Sequence, residues 1–598
     1  LGPGGLKLAR RLKRVLPGAA LHGYAKRVGA GAADERFTDV ARHLRALFKN
    51  GTPILGLCAA GILIRALAPL LKDKTREPPV VAMDETGRAA VPLLGGHRGA
   101  NELARAAARV SGGVAAVTTA GDARFALALD DPPPGWKLAD PVRAKKTAAA
   151  LLAGETVSLS VDDGLDRRLA DWLVEGGAPF GKRGRLTVCV SDRRPDRTAD
   201  LTLHPPTLAL GVGCERGTAT RELIALAESA LARAGLAKES VAAVCSIDLK
   251  ADEEAVHGLA RHLDAPARFF SAQRLEMETP RLENPSDLVF RETGCHGVAE
   301  GAALAAAGKR GALTVPKRKS RRATVAIARS RTALAPGRIG HARGCLWIVG
   351  IGPGDAAHRT PAASAALAEA KHIVGYGLYL KLLGLAIAGK RLHRSALGNE
   401  EDRVRLALDL AARGEDVALV SSGDAGIYAL AALVFELLER EDRADWNRIA
   451  VEVVPGVSSM LLAAARAGAP LGHDFAVISL SDMLTPWQAI ERRLDAAARG
   501  DFAIALFNPA SARRRGQLPR ALAILRAARP KDTPVVVARN LGRAGETVAL
   551  TTLAQVDPET VDMLTLLLVG ASTTRTVGRG MRRFVYTPRG YAAKVKRA

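Results

Sequence analysis

Two glycine-rich stretches hold the residues best placed to do chemistry. LWIVGIGPGD runs from Leu346 to Asp355, and VALVSSGDAGIY from Val417 to Tyr428. Each is a short apolar run closed by a glycine turn and followed by a helical pattern. A parallel α/β sheet delivers loops to the carboxyl ends of its strands in this way. Glycine lets the backbone approach a ligand, and Asp355 and Asp424 set a carboxylate at each loop edge. Gly350, Gly352 and Gly354 are spaced G-x-G-x-G, but Asp355 stands where a third dinucleotide-fingerprint glycine belongs. Pro353 also removes a backbone N–H that a pyrophosphate would use. Nicotinamide dinucleotide binding is therefore a poor reading. The chemistry of the C-terminal half is expected between the two loops.

A third turn, GGHRGANELAR, presents His97 and Arg98 ahead of a helix carrying Asn101 and Glu102. Such a helix start can hold an anion, with His97 as general acid or base. A turn merely capped and ordered by His97 and Asn101 is an equal reading. Glu215, Arg216 and Arg221 either hold a carboxylate or cap the helix they precede. The six cysteines are scattered without a C-x-x-C pair, and Cys295-His296 has no partners in sequence, so no metal site is expected. Reduced thiols of this kind suit a cytoplasmic protein.

Positioning these turns takes several domains. A chain of 598 residues is too long for one core. With 48% apolar residues and only 4% aromatics, alanine-rich helices packed closely on sheets are expected. The apolar stretch Ile54 to Leu71 is interrupted by Arg65 and Pro69, so no membrane span is read. LKLARRLKRVL lacks the apolar region of a signal peptide. LGPGG opens the chain as though a strand should precede it and no initiator methionine is present, so an amino terminus either truncated or misassigned is expected. A net charge of +25 fits nucleic acid or a polycarboxylate substrate. Lys309 to Arg343 holds eleven Lys or Arg and no acid. Its run KRKSRR lies between strand-like stretches without aromatic interleaving, and an exposed loop is expected instead of an RNA site.

The predicted fold class is α/β and multidomain. Helices are read over Leu6 to Leu16 and from about Phe37 to Phe48, with strands Pro53 to Cys58, Val80 to Met83, Ala89 to Leu94 and AAVTTAGD. Boundaries fall at 1–148, a small middle domain 149–205, an α/β domain 206–331, a linker 332–344, the last domain 345–585 and a basic tail 586–598. Five strand-turn units are read in the last domain.

WIVGIGPGD, VSSGDAGIY, VVPGVSSM, ISLSDMLTPW, ALFNP and MLTLLLVG together resemble the precorrin-3B C17-methyltransferases of cobalamin biosynthesis, over essentially all of 345–585. PILGLCAAGILIRALAPLL, GGHRGANELAR and VTTAGD resemble the amino-terminal domain of the cobalt-precorrin-5A hydrolases, and LGVGCERGT and VAEGAALAAAG their carboxyl-terminal domain. Arg98 and the absent opening strand depart from that second family, which bears on hydrolysis more than on fold. The resemblance implies a fusion of two steps of one pathway.

It implies further a two-lobed, non-Rossmann methyltransferase fold using S-adenosylmethionine, a tetrapyrrole polycarboxylate substrate, and a homodimer through this half. Other corrin-pathway enzymes are possible partners. Carried over by motif, Gly352, Pro353, Gly354 and Asp355 line the tetrapyrrole side. Ser422, Gly423, Asp424, Ile427 and Tyr428 cradle the methionine part. Ser458, Ser459, Phe507, Asn508, Leu541 and Thr565 complete the cofactor pocket, with Pro353 at its edge. Asp355, Glu400 and Glu401 are acid–base candidates for ring contraction. Arg513, Arg514 and Arg515 either meet substrate carboxylates or form a solvated helix start. In the first half His97 would serve lactone opening. Two other readings are carried: a non-catalytic tetrapyrrole-binding first half, and a basic nucleic-acid-binding protein, which lacks an aromatic platform.

Overall fold

The near-continuous apolar runs form strands buried on both faces, as parallel sheets require. A computed structural model describes residues 4–591 except 17, 30, 74–76, 119–128, 130–131, 176, 196–198, 397 and 512–513, and the side chains of all these but His97 and Leu385. Arg513, most of the VTTAGD stretch, the side chain of His97 and the last seven residues of the tail thus lie outside the described residues. The chain divides into two compact units, Leu1–Arg343 and Gly344–Ala598.

The first unit contains three larger sheets. Ile54–Leu57, Val80–Met83, Ala89–Leu94 and Val114–Ala115 make a four-stranded sheet in sequential order. A five-stranded sheet spans Lys137–Leu138 to Leu201–His204, and a second spans Leu208–Cys214 to Ala323–Arg329. The former begins ahead of the boundary read at 149, because its Lys137–Leu138 strand is too short to show a period. The helix read from Phe37 starts at Val40: Phe37 ends a strand, and the Asp39 carboxylate caps by accepting the Arg42 N–H at 2.9 Å.

KRKSRR is no loop. Lys317 to Lys319 end the strand Ala312–Lys319, which pairs antiparallel with Ala323–Arg329. Glu300, buried on the helix Val298–Ala307, accepts the Lys317 N–H at 2.8 Å. A charge count could not see that acceptor. The segment 332–344 is tied down as well, Leu334 N–H donating to Pro206 C=O and His341 pairing with Phe269. None of the six cysteines is in a disulfide.

The second unit stacks its chemistry on two five-stranded sheets. In chain order the strands of the first are β1 (Cys345–Gly350), β2 (His372–Tyr376), β3 (Arg391–Ser395), β4 (Asp416–Ser421) and β5 (Ala450–Val454), arranged β3-β2-β4-β1-β5 and all parallel. Those of the second are β6 (Phe475–Ser479), β7 (Ala503–Phe507), β8 (Pro534–Arg539), β9 (Thr547–Thr552) and β10 (Thr565–Val569), arranged β6-β7-β10-β8-β9. Only β6 and β7 run parallel there; the other pairings are antiparallel. Apolar layers cover both faces of each sheet. The helix Ser459–Ala467 belongs to one of them: Met460, Ala463 and Ala464 pack with Val536, Leu566 and Leu568 of the second sheet. Small alanines permit that close approach.

Candidate active site

The loops that leave β1 and β4 are stitched to each other. Gly352 and Gly423 exchange backbone hydrogen bonds, at 3.1 Å and 2.8 Å, and both have positive φ, 78° and 73°. Only glycine takes that conformation without strain. A Cβ on Gly350 would sit 2.7 Å from the Gly456 nitrogen and 2.8 Å from the Gly423 oxygen, so the start of the β5 loop closes the same cluster. The Asp424 carboxylate holds it together, accepting Gly456 N–H at 2.9 Å and Gly426 N–H at 2.8 Å. A Cβ on Gly423 would lie 3.9 Å from Ser458 Cα, which sets Ser458 and Ser459, at the head of their helix, against the second loop. Ser458 is buried, and so is the hydroxyl of Ser421, which finds no protein partner.

Asp355 caps the short turn Ala356–His358, accepting His358 N–H at 3.0 Å and facing its ring nitrogen Nδ1 at 2.6 Å. Burial opposes the charge on Asp355, but these two His358 groups outweigh it and hold the carboxyl below its ordinary range.

Two side chains tie the two sheets together, one from each. Arg543, in the turn after β8, donates from Nε to Pro353 C=O at 3.0 Å and from Nη2 to Ser422 Oγ at 3.0 Å. It thereby clamps both glycine loops. Burial lowers its pKa, and the nearby Tyr379 hydroxyl partly offsets this. Tyr379, on the helix Gly377–Leu383 after β2, is itself raised by burial, with Arg543 and Arg403 pulling it back. Arg403 is buried and donates to Ala396 C=O at 2.7 Å. In the opposite direction Tyr428 leaves the β4 loop, at φ 49°, and meets β6: its hydroxyl donates to Val477 C=O at 2.9 Å and accepts Ser479 N–H at 3.2 Å.

Ile427, Phe507 and Leu541 join one apolar cluster, and the Tyr428 ring stands 5.5 Å from that of Phe507. Asn508, at φ 50°, donates from its amide to Ser479 Oγ at 3.0 Å. The buried Thr565 gives its hydroxyl to Asp562 at 2.7 Å, which in turn holds Arg539 at 2.8 Å.

Not every candidate converges. Glu401 binds Arg405 at 2.7 Å and Arg440 at 2.9 Å, and these two guanidinium groups hold its carboxyl below the usual range. Glu400 accepts Gly398 N–H at 3.1 Å. Arg514 donates to Leu480 and Asn508 carbonyls, both at 2.9 Å, ordering the β7 loop instead of standing free. His97 lies on the backbone turn Gly96–Arg98 of the first unit.

Residues 345–557 match the family described as Tetrapyrrole (Corrin/Porphyrin) Methylases. A precorrin-3B C(17)-methyltransferase of a Sinorhizobium species is 44% identical over 250 residues, 42% of this chain and 98% of that protein. The chain belongs to the tetrapyrrole methylase family. A probable cobalt-factor III C(17)-methyltransferase of Salmonella typhimurium is also 44% identical, over 41% of this chain and 99% of its own. The solved structure of the methyltransferase CobJ matches at 42% identity over 41% of this chain and 100% of that one, with a TM-score of 0.39. Ahead of the methylase, residues 42–122 match the family Cobalamin synthesis G N-terminal and 208–328 the family Cobalamin synthesis G C-terminus. Within the methylase the residue that sequence reasoning missed is Arg543. Its signal, an arginine in the glycine-bounded turn NLGRAGE, is weak without knowing what it faces.

Proposed function

We propose that the C-terminal unit methylates C17 of precorrin-3B, or of its cobalt-bearing counterpart, with contraction of the macrocycle, using S-adenosylmethionine. The two relatives at 44% identity are named as C(17)-methyltransferases of precorrin-3B and of cobalt-factor III. The observation that carries the reading is the double glycine loop, joined through Gly352 and Gly423 and clamped by Arg543. The cofactor suits the residues present. Gly423 leaves side-chain space beside Ser458 and Ser459, the Ser421 hydroxyl is buried without a partner, and Ile427, Phe507 and Leu541 offer an apolar wall for an adenine ring. Ser422, Asp424, Tyr428, Asn508 and Thr565 border these groups. When bound, the cofactor supplies an electrophilic methyl group.

The protein's task is then alignment and exclusion of water. Gly352, Pro353 and Gly354 form the floor on which the macrocycle rests, and Arg543 fixes that floor. Asp355, kept ionised by His358, stands at the edge of the first loop as a carboxylate for the proton transfers of ring contraction, whereas the Asp424 carboxylate is taken up by loop N–H groups. Glu401 has its charge taken by two arginines, so it serves such a transfer only if they are displaced. Arg513 and the general positive charge favour a polycarboxylate. Met483 and Leu484, 82% and 97% exposed beyond β6, are apolar surface suited to the face of a macrocycle. The same reading extends to a homodimer through this unit, which sedimentation would test.

For the first unit the reading is a lactone-opening hydrolase-like region with the turn around His97 as its acid–base site. Its support is the two cobalamin synthesis G matches. The test is mass spectrometry of metal-free precorrin-3B incubated with full-length protein and S-adenosylmethionine. A product heavier by one methyl with a contracted-ring spectrum is expected. A folded protein that binds no S-adenosylmethionine would overturn the methyltransferase reading. Unchanged lactone opening in His97→Ala would remove the role given to His97.

A further inference from the structure

Three residues that no motif joins meet in the first unit. The strands His22–Tyr24 and Glu35–Phe37 form a parallel pair whose register sets His22 opposite Glu35. The helix Val40–Lys49 follows at once and delivers His43 from its first turn. His43 Nε2 lies 3.0 Å from His22 Nδ1. Glu35 faces both rings, Oε2 at 3.4 Å from His22 Nδ1 and Oε1 at 3.7 Å from His43 Nδ1. One donor atom from each of the three lies within 4.8 Å of the others.

The distances separate two explanations. An ordinary hydrogen-bonded cluster would bring the carboxylate to about 2.7–3.0 Å from an imidazole nitrogen. Two ligands held tetrahedrally at about 2.0–2.1 Å from one metal ion stand roughly 3.3 Å apart. The 3.4 Å separation of His22 Nδ1 and Glu35 matches that of co-ligands, whereas the 3.0 Å between the ring nitrogens is a hydrogen-bond distance that must open by about 0.3 Å to admit an ion. The rings are tilted by 44°, not stacked, and Phe37 stacks on His43 at 4.3 Å and 4°, fixing its aim. Each donor therefore sits on a separate regular element and is positioned before any ion arrives.

We propose that His22 Nδ1, His43 Nε2 and the Glu35 carboxylate bind a divalent first-row transition-metal ion of the zinc or cobalt class. Two imidazoles and one carboxylate favour such ions over magnesium or calcium, which prefer all-oxygen shells. Three protein ligands leave a position for an exogenous ligand, the pattern of reactive rather than structural sites. His22 and His43 also border a cavity of about 460 Å³ whose walls include Leu12, Leu44 and Leu63, so that position has room beside it. Lys13, on the same wall, is neutralised by its ion pair with Asp34. The proposal is independent of the methyltransferase reading.

The test is titration of chelator-treated full-length protein with Co²⁺, followed by its visible d–d absorption, and displacement by Zn²⁺. One bound equivalent is expected, displaced by Zn²⁺ and not by Mg²⁺. His22→Ala and Glu35→Gln should each weaken it roughly ten-fold or more. Glu35 is half exposed, so Glu35→Gln keeps the test sound if His22→Ala disturbs folding. His393→Ala, at the close pair His372–His393, should leave it unchanged. Absence of a stoichiometric Co²⁺ complex, or one insensitive to Glu35→Gln in a variant of unchanged circular dichroism, would overturn the site.

Discussion

Arg543 makes two hydrogen bonds, to a carbonyl of one glycine loop and a hydroxyl of the other, from a turn about 120 to 190 residues away in sequence. Hydrogen bonds from a charged group contribute about 1.5–3 kcal/mol each before the cost of burying it. Arg543→Ala should therefore destabilise the second unit by about 1–3 kcal/mol. It should also lower kcat/KM for methyl transfer roughly ten- to a hundred-fold, because small misplacements of aligned groups are expensive. Denaturant melts and steady-state rates would check both. Asp355 makes a different point. Its carboxyl is held below its ordinary range by His358, so the folded chain takes up that proton less readily than the unfolded chain. The resulting stability is present above the ordinary carboxylate range and lost as pH falls through the lowered value. Asp355→Asn should thus melt at a lower temperature than the parent at pH 7, with the gap closing as the solution is acidified toward pH 3. A constant gap would show that the His358 contact contributes nothing through ionisation.

Among elements, Tyr428 is a second tie, beside Arg543, between the two sheets of the second unit. Its hydroxyl both donates to and accepts from the backbone of β6, although the side chain is 55% exposed. Tyr428→Phe should cost about 1 kcal/mol of stability. If β6 and the β4 loop together frame the cofactor site, it should also raise KM for S-adenosylmethionine several-fold with kcat less affected. Equal effects on both constants would place Tyr428 in the chemistry instead. The elements themselves were well marked in the sequence. Continuous apolar runs such as Val417 to Val420 read as buried strands because both faces are covered, and the glycines after them read as loops because helices follow. The first half of KRKSRR was misread because charge suggests solvent, whereas Lys317 owes its place to a backbone hydrogen bond with buried Glu300. Glu401 shows the converse: a carboxylate near a motif gives no sign that arginines 4 and 39 residues on, the second from another helix, will pair with it.

At the scale of the whole molecule, Gly344–Ala598 has its own sheets and its own apolar layers. Residues 344–598 expressed alone should unfold in a single cooperative transition and retain methyl transfer within about three-fold of the full chain. Calorimetry and the mass-spectrometric assay decide this; loss of activity in a well-folded fragment would show that the first unit contributes to the reaction. Local order in the chain was determined by its sequence alone: apolar period, glycine turns, capping residues and the motifs of a tetrapyrrole methylase all act over a few residues. Tertiary structure decided which distant groups meet. Nothing within a few residues of Arg543 specifies Pro353 and Ser422 as its partners, and His22, Glu35 and His43 share no spacing that signals a metal. Strand register and helix placement set those encounters, and both depend on packing summed over a whole unit.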